Sequence, residues 1–487
     1  MKRGRLTPYG ERLLRETPVL ETLRGLDPRG VDEVLGIAET CAEFARLHAE
    51  PKALELDERM EQDPEYFDRE LVKAAGNYHL FSLVVPKVLG GLAGKYMLTA
   101  ASLGVEEICS ACAGIGNMIA ATGLGACPLL TPGGMPHWDT VLHEIVEGEK
   151  RGEPVLMAYA ITEPSAGTDV EEPHFLARAR IGMEARRVKG GYLLNGRKCF
   201  ISGGKEAKYL TVCAATDRSR PLETWTVFLV SRDMEGFSVP RVERKMGQRA
   251  CHAAEILFDN VFVPEENVIG YEGDGMSMGI LAIMAASRGP VGAVGTGIAR
   301  GVLKNFLSWA RRERGGRKPI EEQRIQMEIA DMAASIQECR GLILDHSLAG
   351  DKVFGSLLVN PMMKALFALP RELRLSRPYR SFLHSRLGKA TSARLLRLLV
   401  SEDEMTRLLA LASLAKFAST DMAMGIASRA LQLMGPEDSE ERRRVEKCYR
   451  DVKVTQIYEG TNQLNRLTWF MVEQEGSLRI ELPRPPR

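Results

Sequence analysis

Very little in this 487-residue chain pulls in one direction. Its 65 Lys and Arg stand against 64 Asp and Glu, a formal net charge of +1. There is no global field to draw in a nucleic acid or an anionic membrane, so neither is expected as a partner. The nine cysteines are scattered, without the spacing of a disulfide-stapled secreted domain. Reduced thiols in a cytoplasm fit best. A lone CxxC, Cys109 and Cys112 within EICSACAGIG, sits among small residues, and helix packing is the favoured reading over redox chemistry. No metal site is expected. No apolar run reaches the roughly 18 residues of a membrane span. The opening stretch, MKRGRLTPYGERLLRE, mixes acids with bases and lacks the apolar core of a secretory signal. No internal repeat is visible. GGLAGK, starting at Gly90, is too short for a phosphate-binding P-loop and has no Ser or Thr after its Lys.

What remains is ordinary globular composition, 45% hydrophobic and 26% charged, in a chain long enough for two or three domains. Residues from about 28 to 150 read as helical. In VDEVLGIAETCAEFARLHAE the residues Val34, Ile37, Cys41 and Phe44 fall on one stripe. LVVPKVLGGLAG then breaks the helices at Pro86 and at Gly90 and Gly91. From about 156 to 272 the segments become short and alternating. Leu210, Val212 and Ala214 share a face, as do Trp225, Val227 and Leu229. Turns are expected at Asn195-Gly196, Gly203-Gly204 and Asp259-Asn260. Long helices return from 273 to 487, with Leu411, Leu414, Ala418 and Met422 as one apolar stripe. The terminal ELPRPPR reads as an exposed tail. Between Arg371 and Arg397 eight Lys or Arg face one acid, Glu372; the run reads as a solvated face, or as a docking surface for an acidic partner. The order is helices, strands, helices.

Three stretches could carry chemistry. VTQIYEGTNQLNRL, residues 454–467, places Glu459 beside Gly460, with Thr461, Asn462 and Gln463 following. Ile457, Leu464 and Leu467 would bury the segment, and a buried carboxylate becomes a usable proton acceptor. The plain alternative is a helix end with a solvated Glu and a capping Thr. MAYAITEPSAGTDV gathers Thr162, Ser165, Thr168 and the amides around Gly167 into a donor cluster that suits an anion or a heteroaromatic edge, or an ordinary turn. In LNGRKCFISGG, Phe200 and Ser202 lie two apart on a strand and so share a face. One could stack on a planar cofactor while the other bonds its edge; the plain alternative is a hairpin with a buried Phe.

Four motifs in this order, YAITEPSAGTDV, NGRKCFISGG, KMGQRACHAAEILFDNVFVP and VTQIYEGTNQ, resemble those of the acyl-CoA dehydrogenase family. VVPKVLGG and EQRIQMEIADM match more weakly, and the likeness covers roughly residues 60–480. The resemblance implies an α+β multidomain fold: an N-terminal helical domain (1–155), a middle β-barrel-like domain (156–272) and a C-terminal four-helix-bundle domain (273–487). It implies FAD as cofactor, an acyl-CoA substrate, electron-transfer flavoprotein as electron acceptor, and a homo-oligomer whose flavins are each touched by a neighbouring subunit. It implies Glu459 as the base that removes the α-proton while a hydride leaves the β-carbon for flavin N5. Relatives that carry the base before an Arg on an earlier helix have a carboxylate where this chain has Ser287. Tyr159, Ile161, Thr162, Phe200 and Ser202 fall on flavin-contacting positions, and Thr461 and Gln463 at the pyrophosphate end. Thr168 matches a CoA contact, Arg288 is expected by the substrate mouth, and Tyr458 joins the substrate site.

Departures from the family pattern are as specific. An Arg-x-x-Phe-Gly motif is replaced by RRERGGRKP, so that Arg312 and Arg314 are both candidates for its arginine, with Gln323 downstream. Gln432 and Gly435 are kept, but PEDS follows, bringing Glu437 and Asp438 where glycine amides are usual. The first 30 residues look like an extension and residues 370–400 like an insertion. The pocket floor is expected on Ile115–Thr122, where Gly116, Ala120 and Ala121 hint at room for a branched or cyclic acyl group; Arg249 stays unplaced. An acyl-CoA oxidase or enoyl-CoA reductase on the same scaffold, or a non-catalytic relative, are the alternatives.

Overall fold

The computed structural model describes residues 6–361 and 369–482. Several of its helices begin on a side-chain cap. Thr7, Asp27, Asp68, Ser401 and Ser439 each accept a hydrogen bond from an amide of the first helical turn, satisfying groups the helix itself leaves unpaired. Helices run from Pro8 to Lys150, eight strands from Met157 to Ile269, and helices again from Ala282 to Glu473. Val34, Cys41 and Phe44 are buried as their spacing predicts.

The strands form one sheet in the order β6-β7-β3-β2-β4-β5-β8, with β1 pairing parallel to β4. These are β1 (Met157–Ala160), β2 (Glu184–Val188), β3 (Gly191–Ser202), β4 (Tyr209–Ala215), β5 (Trp225–Ser231), β6 (Phe237–Val242), β7 (Ala253–Pro264) and β8 (Val268–Ile269). Alternation splits the sheet between two cores. Leu210, Val212 and Ala214 pack with Phe228 and Val230 on one side, while Trp225, Val227 and Leu229 join the helical core on the other. Two expected turns are absent. Asn195-Gly196 lies inside β3 and Asp259-Asn260 inside β7, opposite each other where the register slips between Leu194 and Gly196. The Asn260 amide donates to Asn195 Oδ1 at 2.9 Å. Asn and Gly tolerate the left-handed backbone that a bulge needs as well as one that a turn needs, and Asn260 has φ 53°.

The C-terminal bundle is built on Ala282–Arg311, Gln323–Gly350, Glu402–Met434 and Glu440–Thr455. Gly292 lets the first of these approach Glu402–Met434 so closely that a Cβ would sit 2.8 Å from Ala415 O. Gly297 does the same toward Met97–Ala111, at 2.6 Å from Glu106 O. In Glu402–Met434 the deep face is not the expected stripe. Leu411, Leu414, Ala418 and Met422 are only half-buried, whereas Ser413, Lys416, Ser419 and Thr420 are buried. Apolar periodicity is a poor guide where a helix turns polar groups inward to bind backbone.

Two helical stretches, Ala113–Leu130 and Gly275–Arg311, are long and apolar enough to cross a membrane. Polar residues such as Asn117 and Ser287 hid them from a search for unbroken apolar runs. Most of each is buried against the rest of the protein. Cys109 and Cys112 are free buried thiols, the second accepting from Lys447 Nζ at 3.4 Å.

The basic run is not one solvated face. Arg374 is buried on Asp139, with contacts of 2.8 and 2.7 Å, and Arg397 pairs with Glu402 at 3.0 Å. Arg371, Arg377, Arg386 and Arg394 stay exposed. Of the expected tail, Glu481 is exposed but Leu482 is buried, as are Leu478 and Ile480 just before it, and residues 483–487 lie outside the described residues.

Candidate active site

One cavity of about 450 Å³ lies where the sheet meets both helical domains. Its walls are mostly apolar, and Glu459, Glu171, Ser287 and Tyr458 are among its few polar lining residues. The helix Glu440–Thr455 stops just before, and the chain turns through Glu459 and Gly460 with φ of 53° and 74° into the helix Asn462–Glu473. A left-handed conformation costs little for Gly but is strained for Glu, and such strain collects at functional sites. Phe200 (φ 56°) and Gln248 (φ 52°) share it.

The strained turn is held by its carbonyls. Arg288 Nε donates to Glu459 O at 3.1 Å. Lys416 Nζ donates to Gly460 O at 2.7 Å and to Asn462 Oδ1 at 2.8 Å. Asn465 Nδ2 lies 3.2, 2.9 and 3.0 Å from the carbonyl oxygens of Glu459, Gly460 and Thr461. Thr461 caps the following helix, its Oγ1 accepting from the Leu464 amide at 3.2 Å. Half of the plain alternative therefore holds: the Thr is a cap, but the Glu is not solvated. Burial comes from Leu464 and from these polar side chains, while Ile457 and Leu467 are about half exposed.

The Glu459 carboxylate is 9% exposed. Ser287 Oγ donates to its Oε2 at 2.8 Å. Burial, and then the negative charge of Glu171, raise its pKa from an ordinary 4.5 to about 7, against the opposing pull of Ser287, Arg288 and Lys416. Glu171 lines the same cavity; burial raises its pKa too, and Arg288 opposes the rise. Lys416 is driven by burial, then by Arg288, down to about 7. Two carboxylates and two cationic side chains are thus buried close together, and a carboxylate placed this way can take a proton near neutrality.

The expected residues divide into two groups. Tyr159, Ile161, Thr162, Thr168, Phe200, Ser202, Tyr458 and Glu459 all line the cavity. Phe200 is not a buried hairpin residue: its ring is 59% exposed on the cavity wall beside Ser202. Beside Gly167 a Cβ would meet nothing within 4 Å. That exposed ring with open space nearby, and hydroxyls at its edge, fits a flat heteroaromatic group. Tyr458 OH accepts from Asn117 Nδ2 at 3.0 Å and from Gln248 Nε2 at 3.4 Å.

The second group lies away from the cavity. Arg312 Nη2 pairs with Glu441 at 2.5 Å. Arg314 takes Glu437 through both nitrogens, one contact at 3.0 Å, with its guanidinium 5.1 Å over the Trp309 ring. Gly435 O accepts from Arg442 Nε at 2.7 Å. Gln323, Gln432 and Gln463 are exposed. Arg288 is corrected: its side chain is 1% exposed and turns to Glu171, Ser413 and the Glu459 carbonyl rather than to a mouth. Gly116 is corrected too. A Cβ there would meet Cys109 Sγ at 2.3 Å, so its smallness serves packing, whereas Ala120 and Ala121 do line the cavity. Arg249 lies on Asp57 and Glu61. The residues missed from sequence are Glu171, Lys416, Asn117 and Gln248, and the hydroxyl role of Ser287. Glu171 directly follows the TDV motif, and Gln248 sits within KMGQRACH; those two positions were the available signal.

Family profiles match most of the chain. "Acyl-CoA dehydrogenase, N-terminal domain" covers residues 32–149, the middle domain 158–261, and the C-terminal domain 273–368 and 386–471. Cyclohexane-1-carbonyl-CoA dehydrogenase of Geobacter metallireducens is 30% identical over 437 residues, 90% of this chain and 96% of that protein. Mitochondrial isovaleryl-CoA dehydrogenase of Solanum tuberosum is 34% identical over 63% of this chain and 70% of its own. Among solved structures, butyryl-CoA dehydrogenase of Megasphaera elsdenii superposes with a TM-score of 0.68 at 23% identity, covering 91% of this chain and 98% of that one. A chain from work on the electron transferring flavoprotein of Acidaminococcus fermentans has the same TM-score at 26% identity, covering 91% and 98%. Such a fold around such a cavity defines a flavin-dependent oxidoreductase. The chain belongs to the acyl-CoA dehydrogenase family, whose reaction is the dehydrogenation of an acyl-CoA thioester.

Proposed function

We propose that Glu459 is the base of this dehydrogenation, taking the α-proton of the acyl-CoA on Oε1 while Ser287 holds Oε2. The observation that carries the reading is a strained, buried carboxylate on the wall of a mostly apolar cavity, its pKa raised to about 7 by burial and by Glu171. FAD is the flavin inferred, and when bound it supplies the hydride acceptor at N5. Phe200 would stack on its ring, with Tyr159, Ile161, Thr162 and Ser202 along its edge. The α-proton passes to Glu459 and the β-hydrogen leaves with its electron pair, which leaves the enoyl thioester. The Glu459 turn has its carbonyls occupied by Arg288, Lys416 and Asn465. Its amide is the donor inferred for the thioester carbonyl, where negative charge develops. Thr168 would meet CoA.

Arg312, Arg314, Gln323, Gln432 and Gly435, gathered away from the cavity, suit a second protomer's flavin in a homo-oligomer. Electron-transfer flavoprotein is the acceptor inferred. Glu459→Gln tests the reading. The variant should keep FAD yet lose flavin bleaching by acyl-CoA under anaerobic conditions. Bleaching at the wild-type rate removes Glu459 as the base.

A further inference from the structure

The cavity does not end where the ordinary bundle ends. Between the helices Gln323–Gly350 and Glu402–Met434, the described residues of 351–361 and 369–400 lie mostly in short helices. From this segment Phe354, Leu395, Leu396, Leu399 and Val400 enter the cavity wall, and Leu482 joins them. The helix Arg386–Leu399 is amphipathic: it turns these leucines inward and leaves Arg386, Arg394 and Arg397 exposed. Leu482 is held in place by its neighbours. Its amide donates to Glu402 Oε1 at 3.0 Å and its carbonyl accepts from Arg397, while the Ile480 amide donates to Thr406 Oγ1 at 2.9 Å. The side chains that this segment and Leu482 bring to the cavity are aliphatic or aromatic, and the cavity's two carboxylates, Glu171 and Glu459, come from other elements. An acyl chain ending in a charge would be left unpaired there; a short one would leave the far wall unfilled.

Resting on the dehydrogenase reading above, we propose that Phe354, Leu395, Leu396, Leu399, Val400 and Leu482 form the distal wall of the acyl pocket, and that the substrate is the CoA thioester of a long, uncharged aliphatic acid. Each methylene that reaches the wall leaves water for apolar contact, so preference should climb steeply with chain length. The hint of a small branched or cyclic group, taken from glycine and alanine near the pocket floor, then concerns only the end nearest the flavin.

The test is a set of acyl-CoAs measured by anaerobic flavin bleaching on the flavin-loaded enzyme: butyryl-, cyclohexanecarbonyl-, octanoyl- and palmitoyl-CoA. Palmitoyl-CoA should exceed butyryl-CoA in kcat/KM by about tenfold or more. Leu399→Trp and, separately, Leu395→Trp narrow the far end at two half-buried positions. Each should lower the palmitoyl-to-butyryl ratio by about tenfold or more, with flavin content and thermal transition reporting that the variant is folded. A ratio that does not move in either folded variant overturns the proposal, as does a wild-type preference for butyryl- or cyclohexanecarbonyl-CoA. Those results leave the dehydrogenase reading standing. Bleaching by none of the four thioesters overturns both.

Discussion

Removing the Ser287 hydroxyl should move the working pH of the enzyme upward. Ser287 Oγ donates to Glu459 Oε2 at 2.8 Å and opposes the rise that burial imposes on that carboxyl. A hydrogen bond to an ionised acceptor contributes about 1.5–3 kcal/mol, most of it to the charged form. Ser287 is itself only partly buried, so the lower end applies. Since one pH unit corresponds to 1.36 kcal/mol, Ser287→Ala should raise the titration midpoint by about one pH unit. The base acts ionised, so kcat/KM for flavin reduction climbs with pH and is half-maximal near the free-enzyme pKa of about 7. In the variant the half-maximal point sits about one unit higher. At pH 6 the variant should be about tenfold slower, and above pH 9 the two enzymes should converge. Anaerobic stopped-flow bleaching across pH 5.5–9.5 reads this directly, and Ser287→Thr, which keeps a hydroxyl, should restore the wild-type profile. A midpoint that stays put or falls would refute the argument. So would a uniform loss at every pH, which would mean the serine acts on shape alone.

Three other outcomes follow from the same geometry. Glu459→Gln should cost about 10²–10⁴ in the rate of flavin reduction while stabilising the fold in alkali. The wild-type carboxyl has its pKa raised from 4.5 to about 7, so above pH 7 the native state carries a burial penalty of about 3 kcal/mol that the unfolded chain lacks. The penalty fades as pH falls through 7 and is gone below 4.5, so the gain in Tm should be present at pH 8 and absent at pH 4.5 at equal flavin content. Glu437→Gln releases Arg314 from its ion pair and should tighten FAD retention by about threefold to tenfold, measured by flavin release on dilution; unchanged retention would say that Arg314 does not serve the phosphates. Phe200→Gly relieves a left-handed backbone at an exposed residue and should raise apoprotein stability by about 1 kcal/mol. It should weaken flavin binding at the same time, and tighter binding would contradict the stacking role.

The elements that carry the chemistry were legible because their residues are local in sequence. The YEGT turn, the strand with Phe200 and Ser202, and the TEPSAGTDV loop each hold their functional groups within a few residues. What surrounds Glu459 was not legible in the same way. Arg288, Ser413, Lys416 and Asn465 come from three helices, and only packing brings them to one turn. A lysine within a helix reads as solvated, yet Lys416 is fully buried because a backbone carbonyl and Asn462 receive it. The paired bulges at Asn195 and Asn260 were read as turns since the two 12-residue strands that contain them carry turn-like residues at their centres. The segment 370–400 was read for its arginines, most of which face outward while Arg374 is buried on Asp139. Its leucines, which do the lining, differ little from those of any amphipathic helix.

The docking of Leu478, Ile480 and Leu482 against the start of the helix Glu402–Met434 also has a temporal side. A ribosome releases these residues after every other wall of the cavity has been made. Leu482 covers part of an apolar cavity much as a stopper closes a flask. That part of the cavity wall is fixed by backbone held through Glu402, Arg397 and Thr406. A fusion partner or affinity tag placed after residue 482 would hang from that stopper, whereas one placed before Thr7 would hang from the far side of the N-terminal helices.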